Sequence, residues 1–451
     1  MPRSYYLDPF GCVKNQVDAE NIMARLESAG WVRMDDAADA ALIIVNSCGF
    51  IEAAKRESID AVLEWRSLYP GKKILLSGCL AQRYRDDLKE SLPEADGFFG
   101  TDCIEKITEA AASLVPDKSG GSDTSRAETG LLASSRPLLS LPGSAYVKIS
   151  EGCNNGCSFC AIPLIRGPLH CRSVEDIVAE CHGLVARGIR ELCIIGQDIG
   201  SYNWQGRGLA QLLAAIAGVE GDFWVRLLYI HPDHFPAGIL DIMEKDGRFL
   251  AYFDIPFQHA SAGILKAMNR RGSAESYLAL ADTIRSRLPH AVIRTTFLVG
   301  FPGESGDDFE SLARFQEKLR PDWLGCFCYS REDGTAAYSM KNRVAKKTAL
   351  LRKQLIEERQ TALTCEIMKR FEGQILDVLL EEKVEGGEGE ESFWLGRLYC
   401  HAPEVDGLAV LAVDGETGSN GEKLGDVLAC EVTAVRGFDL EARFCRKPDL
   451  R

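Results

Sequence analysis

The first hundred residues alternate short apolar runs with segments whose apolar residues recur every three or four positions. Tyr5–Leu7, Ala41–Val45 and Ile74–Leu76 read as buried strands. Asn15–Ala29 sets Ile22, Met23 and Leu26 on one helical face, and Ile51–Leu68, Arg83–Ser91 and Ile104–Leu114 read as further helices. Strands separated by helices form a parallel sheet, because a parallel return requires a crossover. From Pro116 to Pro142 the pattern dissolves into Gly, Ser, Asp and Pro and reads as a linker. Six more strand-like runs follow, each leading into helical sequence: Tyr146–Ile149, Glu191–Ile195, Trp224–Tyr229, Tyr252–Ile255, Val292–Val299 and Leu324–Tyr329. Six βα repeats predict an open, partial barrel, short of the complete eightfold one. Asn342–Arg370 reads as a solvated connecting helix rich in Lys and Arg. Leu376–Leu379, Leu408–Val413 and Val427–Val432, separated by Gly-rich acidic turns, predict a small all-β barrel or sandwich. The expected fold is α/β, with a parallel-sheet domain at 1–115, a linker at 116–142, a partial (βα)6 barrel with its connecting helix at 143–370, and a β domain at 371–451.

Composition narrows the class. A chain of 451 residues exceeds one ordinary core, which agrees with several domains. Hydrophobic content of 46% and charged content of 26% are those of a globular protein. No run of 18 apolar residues occurs, so no membrane span or membrane partner is expected. The N-terminus lacks the apolar region of a signal peptide, which points to the cytoplasm. A net charge of −14 argues against wrapping nucleic acid. Residues 371–451 alone hold 18 acidic and 8 basic side chains.

Sixteen cysteines in a reducing compartment divide into buried thiols and metal ligands. The segment Glu151-Gly152-Cys153-Asn154-Asn155-Gly156-Cys157-Ser158-Phe159-Cys160 follows directly on the first barrel strand, with C-x3-C-x2-C spacing. Three thiolates on one loop at a barrel mouth suit a [4Fe–4S] cluster, which normally takes four and is here left with one open iron. A zinc ribbon would need a second cysteine pair nearby, and none follows. Phe159 either packs its own loop or lies against an adenine. The segment resembles that of the radical S-adenosylmethionine superfamily, and Thr296 to Glu304, containing Gly300, is similar to its glycine-bearing fifth strand near the cofactor. The resemblance implies that the open iron chelates S-adenosylmethionine.

Cys12, Cys48 and Cys79 each come just after a strand of the first domain. The C-terminal ends of parallel strands converge on one edge, so these thiols either meet there or are three unrelated buried cysteines. Cys103 reads as structural, and Cys326 and Cys328, two apart on a strand, as packing residues.

The loops Gly11-Cys12-Val13-Lys14-Asn15, Asn46-Ser47-Cys48-Gly49-Phe50 and Ser77-Gly78-Cys79 resemble the cluster loops of the methylthiotransferases. So do Tyr252 to His259 and Phe327 to Thr335, while the tail is similar to that family's terminal β barrel, called TRAM. The resemblance implies a second [4Fe–4S] cluster on Cys12, Cys48 and Cys79. Val13-Lys14-Asn15 and Ala402 to Gly407 are similar to the branch that modifies an aspartate of the twelfth small-subunit ribosomal protein. At His170-Cys171-Arg172-Ser173 the chain departs from the family's pattern, which tends to read Arg-Ser-Arg.

In the chemistry this resemblance implies, the first cluster cleaves S-adenosylmethionine to a 5′-deoxyadenosyl radical that takes a hydrogen from the aspartate β-carbon. Sulfur carried at the second cluster and methylated by another S-adenosylmethionine then joins that carbon. No protein side chain is assigned as catalytic. Glu180, Gln197 and Arg294 are candidates by position for holding the methionine moiety. Glu404 and Asp406 are candidates for docking a basic ribosomal protein, which an acidic domain would steer. A sulfur donor and a low-potential reductant complete the implied partners. The alternatives are a methylthiotransferase acting on tRNA adenosine with the same clusters, and a non-catalytic two-cluster electron carrier.

Overall fold

The computed structural model describes residues 3–116, 135–386, 392–412 and 421–445. Most of the expected linker lies outside the described residues. Two units are distinguished: Met1–Leu139, Tyr146–Gly183 and Ser330–Ser339 form the first, and Ser140–Ala145, Leu184–Tyr329 and Met340–Arg451 the second.

The first unit contains a five-stranded parallel sheet of β1 (Ser4–Pro9), β2 (Val32–Arg33), β3 (Leu42–Ser47), β4 (Lys73–Gly78) and β5 (Gly97–Phe99), in the order β2-β1-β3-β4-β5. Its helices are α1 (Val13–Ser28), α2 (Glu52–Leu68), α3 (Cys79–Ser91) and α4 (Ile107–Leu114). Side chains alternate across a strand, so Leu42 and Ile44 join one core with Ile22, Met23 and Leu26. Ile43 and Val45 join the opposite core with Val62, Leu76 and Leu80. Burial on both faces explains why β3 and β4 read as continuous apolar runs. The short edge strand β2 carries no such run and escapes a reading by hydrophobicity, whereas β5 is the strand-like run that precedes Cys103.

Register sets the geometry that follows. Pro9 lies opposite Asn46, and Ser47 opposite Gly78. The chain therefore leaves three adjacent strands at one level.

The βα repeats form a six-stranded sheet in the order Trp323–Cys328, Val292–Val299, Phe249–Asp254, Trp224–Leu227, Glu191–Ile195, Ser144–Lys148. In the second unit a closed five-stranded barrel follows, ordered Ile375–Val384, Phe393–Arg397, Ala409–Ala412, Asp439–Phe444, Val427–Arg436. Phe393–Arg397 and Asp439–Phe444 are absent from the sequence reading, because only alternate positions such as Leu440 and Ala442 are buried in so short a strand.

The helix Lys346–Met368 corrects the expectation of a solvated connector. It packs on the strand Trp323–Cys328 and buries Ala349, Ile356, Gln360, Thr364 and Met368. Two members of that stripe are polar, which disguises it. Gln360 Nε2 donates to the Pro321 carbonyl at 2.8 Å, and Thr364 Oγ1 to that of Asp322 at 2.8 Å. Among the described residues no helix is long and apolar enough to cross a membrane.

Candidate functional site

The three loops after β1, β3 and β4 meet. A Cβ on Gly11 would lie 3.1 Å from the Cys48 Cβ, and one on Gly49 would lie 2.8 Å from the Cys79 backbone. Gly78 has φ +97°, and a Cβ there would stand 2.5 Å from the Ser47 carbonyl oxygen. Only glycine fits that turn, which takes β4 straight into α3 and makes Cys79 its first residue. The sequence reading began this helix four residues later.

Burial pushes the Cys79 thiol up to about 12; the nearby Arg166 guanidinium opposes this, while Asp18, Cys12 and Cys48 add to it. Burial likewise raises Cys48, whose backbone N–H is held by Ser58 Oγ at 3.1 Å. Cys12, Cys48 and Cys79 are thus mutually close.

A buried polar network lies against this trio. Asn15 Nδ2 donates to the Ser47 carbonyl at 2.8 Å, and Asn46 Nδ2 to that of Asn15 at 2.8 Å, which ties the first loop to the second. Arg166 Nη2 donates to Asn15 Oδ1 at 2.5 Å and to Cys79 Sγ at 3.1 Å, and forms an ion pair with Asp18 Oδ2 at 2.9 Å. Its Nη1 pairs with Glu151 at 2.8 Å. Lys148 pairs with Asp18, and with Glu151 at 2.5 Å. Burial disfavours the Glu151 carboxylate, but Lys148 and Arg166 outweigh it and hold its pKa well below the usual range.

Cys153, Cys157 and Cys160 occupy one loop of the same unit. Gly152, at φ +73°, packs so close to the next turn that a Cβ would stand 2.1 Å from the Pro168 carbonyl oxygen. The Asn155 N–H faces Cys153 Sγ at 3.4 Å and the Ile162 N–H faces Cys160 Sγ at 3.5 Å. Backbone donors aimed at sulfur suit thiolate ligands. The loop runs into the short helix Ile162–Arg166, whose Ile165, with Ala161, packs against Cys79 and Phe50. Among the described residues no three His, Cys, Asp or Glu side chains close on a single metal ion. A four-iron cluster binds each thiolate at a separate iron and so asks for a wider set.

The other candidates fare unevenly. Phe159 is half-buried on the cysteine loop, and Gln197 half-buried just beyond the strand Glu191–Ile195. Glu180 is corrected: its buried carboxylate is taken by Arg136 and by Arg172 at 2.5 Å. Arg294 is corrected too, since it forms an ion pair with Asp406. Asp406 cannot dock a partner, because its side chain is fully buried and also accepts from Tyr252 Oη at 2.6 Å. Glu404 remains exposed. Gly300 has a local reason to be glycine: φ is +75°, and a Cβ would stand 2.6 Å from Ala349 Cβ. The sequence reading missed Arg166, Asp18, Glu151 and Lys148 as a group. Their signal, charged residues flanking cysteine motifs, is indistinguishable from solvated charge until the loops are brought together.

Family models match three successive stretches: one described as Uncharacterized protein family UPF0004 over residues 4–100, Radical SAM superfamily over 147–315, and TRAM domain over 373–445. The open sheet with a cysteine loop after its first strand defines a protein of the radical S-adenosylmethionine class. The solved methyltransferase TsrM from Kitasatospora setae shares this fold, with TM-score 0.55, 15% identity and coverage of 75% of this chain and 77% of that one. Within the class, the chain belongs to the RimO family of ribosomal protein uS12 methylthiotransferases. The member from Treponema denticola is 44% identical over 97% of this chain and 99% of its own length. Those from Thermotoga maritima (39% identical, 95% of this chain and 97% of the relative) and Aquifex aeolicus (37%, 98% and 97%) are similar over the same span.

Proposed function

We propose that this chain is a methylthiotransferase that adds a methylthio group to the β-carbon of an aspartate in ribosomal protein uS12, in the cytoplasm, using S-adenosylmethionine and two iron–sulfur clusters. The observation that carries the reading is the meeting of Cys12, Cys48 and Cys79 at one end of three adjacent strands, beside the loop of Cys153, Cys157 and Cys160. Simple acid–base chemistry cannot activate a C–H bond of such low acidity, so a cofactor has to supply the reactivity. When bound, the clusters and S-adenosylmethionine supply one-electron cleavage of the sulfonium and delivery of sulfur.

The protein's own work is holding and orienting. Cys153, Cys157 and Cys160 hold one cluster, with the N–H groups of Asn155 and Ile162 stabilising two of the thiolates. Cys12, Cys48 and Cys79 hold the other, with Arg166 beside Cys79. Three thiolates in each set would hold a cluster that normally takes four, and the two clusters would supply sites for S-adenosylmethionine and for sulfur. Phe159 would pack against the adenine, Gln197 would hold the methionine moiety, and exposed carboxylates such as Glu404 would steer a basic substrate. A tRNA substrate would call for a basic tail, whereas residues 371–451 hold 18 acidic and 8 basic side chains.

The test is anaerobic incubation with reductant, sulfide, S-adenosylmethionine and either uS12 or tRNA, followed by mass spectrometry. Addition of a methylthio group to uS12 is expected. Modification of tRNA alone would overturn the substrate assignment.

A further inference from the structure

One buried cation on the short helix that follows the Cys153, Cys157 and Cys160 loop reaches the other cysteine set. Arg166 ends the helix that begins two residues after Cys160, and its guanidinium lies 3.1 Å from Cys79 Sγ. The side chain is almost fully buried, and Asp18, Glu151 and Asn15 hold the fork in place. In the thiol form Cys79 Sγ itself donates to Asn15 Oδ1 at 3.1 Å. A metal-bound thiolate has no proton to give, so its contact with Arg166 becomes a charge-assisted N–H···S bond.

We propose that Arg166 is a positioning residue that sets the reduction potential of the cluster on Cys12, Cys48 and Cys79 while tying that cluster to the loop of Cys153, Cys157 and Cys160. Reduction adds negative charge to a cluster. A fixed cation against a ligand sulfur, in a poorly screened interior, favours the reduced form and raises the potential. Glu151 tempers that charge from Nη1 and Asp18 from Nη2, the nitrogen that also faces sulfur, so the field at Cys79 is that of a partly neutralised cation whose N–H still points at the ligand. The inference rests on the reading of Cys12, Cys48 and Cys79 as cluster ligands.

The test uses the full chain with Cys153, Cys157 and Cys160 all changed to Ala, so that any remaining cluster is the one on Cys12, Cys48 and Cys79. Iron content is measured, and the midpoint potential is read by redox titration followed with electron paramagnetic resonance. Arg166→Gln is expected to retain iron and shift the midpoint to a more negative value. Arg166→Lys, which keeps the charge, is expected to bring it back toward the parent. An unchanged midpoint in R166Q, or a midpoint in R166K no closer to the parent than that of R166Q, overturns the proposal. If R166Q loses iron, retention of iron with a near-parent midpoint in R166K supports a role of charge, and loss of iron in both variants overturns it. A parent without iron would instead bring down the ligand reading, and this inference with it.

Discussion

Arg294, on the strand Val292–Val299, forms an ion pair with Asp406, whose side chain is fully buried. Tyr252 Oη and the Ala402 N–H also donate to this carboxylate, at 2.6 and 2.8 Å. Three donors in a dry site make Asp406 a fastener between the βα sheet and the terminal barrel within their unit. Removing one partner of a buried pair leaves the other charge stranded, at a cost of about 3–5 kcal/mol. Asp406→Ala should lower stability by that order in urea denaturation, whereas Glu404→Gln, at an exposed position, should change it by less than about 0.5 kcal/mol. Equal stability of D406A and the parent would show that the fastener contributes nothing.

Glu180 bridges Arg136 and Arg172, and Arg136 also pairs with Glu20 at 2.8 Å. Glu180→Ala strands cationic charge in the interior and is expected to cost about 3–5 kcal/mol. The KM for S-adenosylmethionine should stay at the parent value in whatever fraction folds. A raised KM with unchanged stability would restore Glu180 to the cofactor site.

Gly78→Ala places a methyl 2.5 Å from the Ser47 carbonyl oxygen at a φ that L residues avoid. Strain of about 1–3 kcal/mol is expected, relieved by displacing Cys79. Iron bound by the reconstituted protein should fall to roughly half that of the parent, with the loop of Cys153, Cys157 and Cys160 still loaded. Full iron content in G78A would mean that the turn does not position Cys79.

His401 provides a pH test. It is fully buried, and neither ring nitrogen has a hydrogen-bond partner among the described residues. Burial, helped by Arg397 and Arg226, lowers its pKa from 6.5 to about 3. The folded protein keeps the ring neutral while the unfolded chain protonates it. This contribution is complete above pH 6.5 and declines as pH falls toward about 3, by up to about 1.4 kcal/mol per pH unit. His401→Phe keeps a ring for the edge contact with Trp323, 5.7 Å between centroids, and should flatten this part of the acid sensitivity. Denaturation curves of both proteins at neutral pH and at about pH 5 decide it; parallel losses would exclude His401.

The strands that bury consecutive residues were legible from hydrophobicity alone, β3, β4 and Glu191–Ile195 most plainly. Val32–Arg33 and Asp439–Phe444 were not, because the first is exposed at both residues and the second buries only alternate ones. The stripe on Lys346–Met368 was hidden for a different reason, its Gln360 and Thr364 being satisfied by backbone carbonyls. Among the site residues, cysteines announce themselves by spacing or by their place after strands. Glu180, Arg294 and Asp406 look the same in sequence whether they face a ligand or each other.

Local pattern and cysteine spacing determined the βα order and the Cys153, Cys157 and Cys160 motif, since strand ends and short loops are set by neighbours along the chain, whereas Cys12, Cys48 and Cys79 were joined only by resemblance to a family. Tertiary structure alone decided that Arg166 reaches Cys79 across 87 positions, and that Arg294 and Asp406 neutralise each other across 112. Ion pairs are chosen by which charges lose water together on folding, and that choice leaves no periodic trace in the sequence.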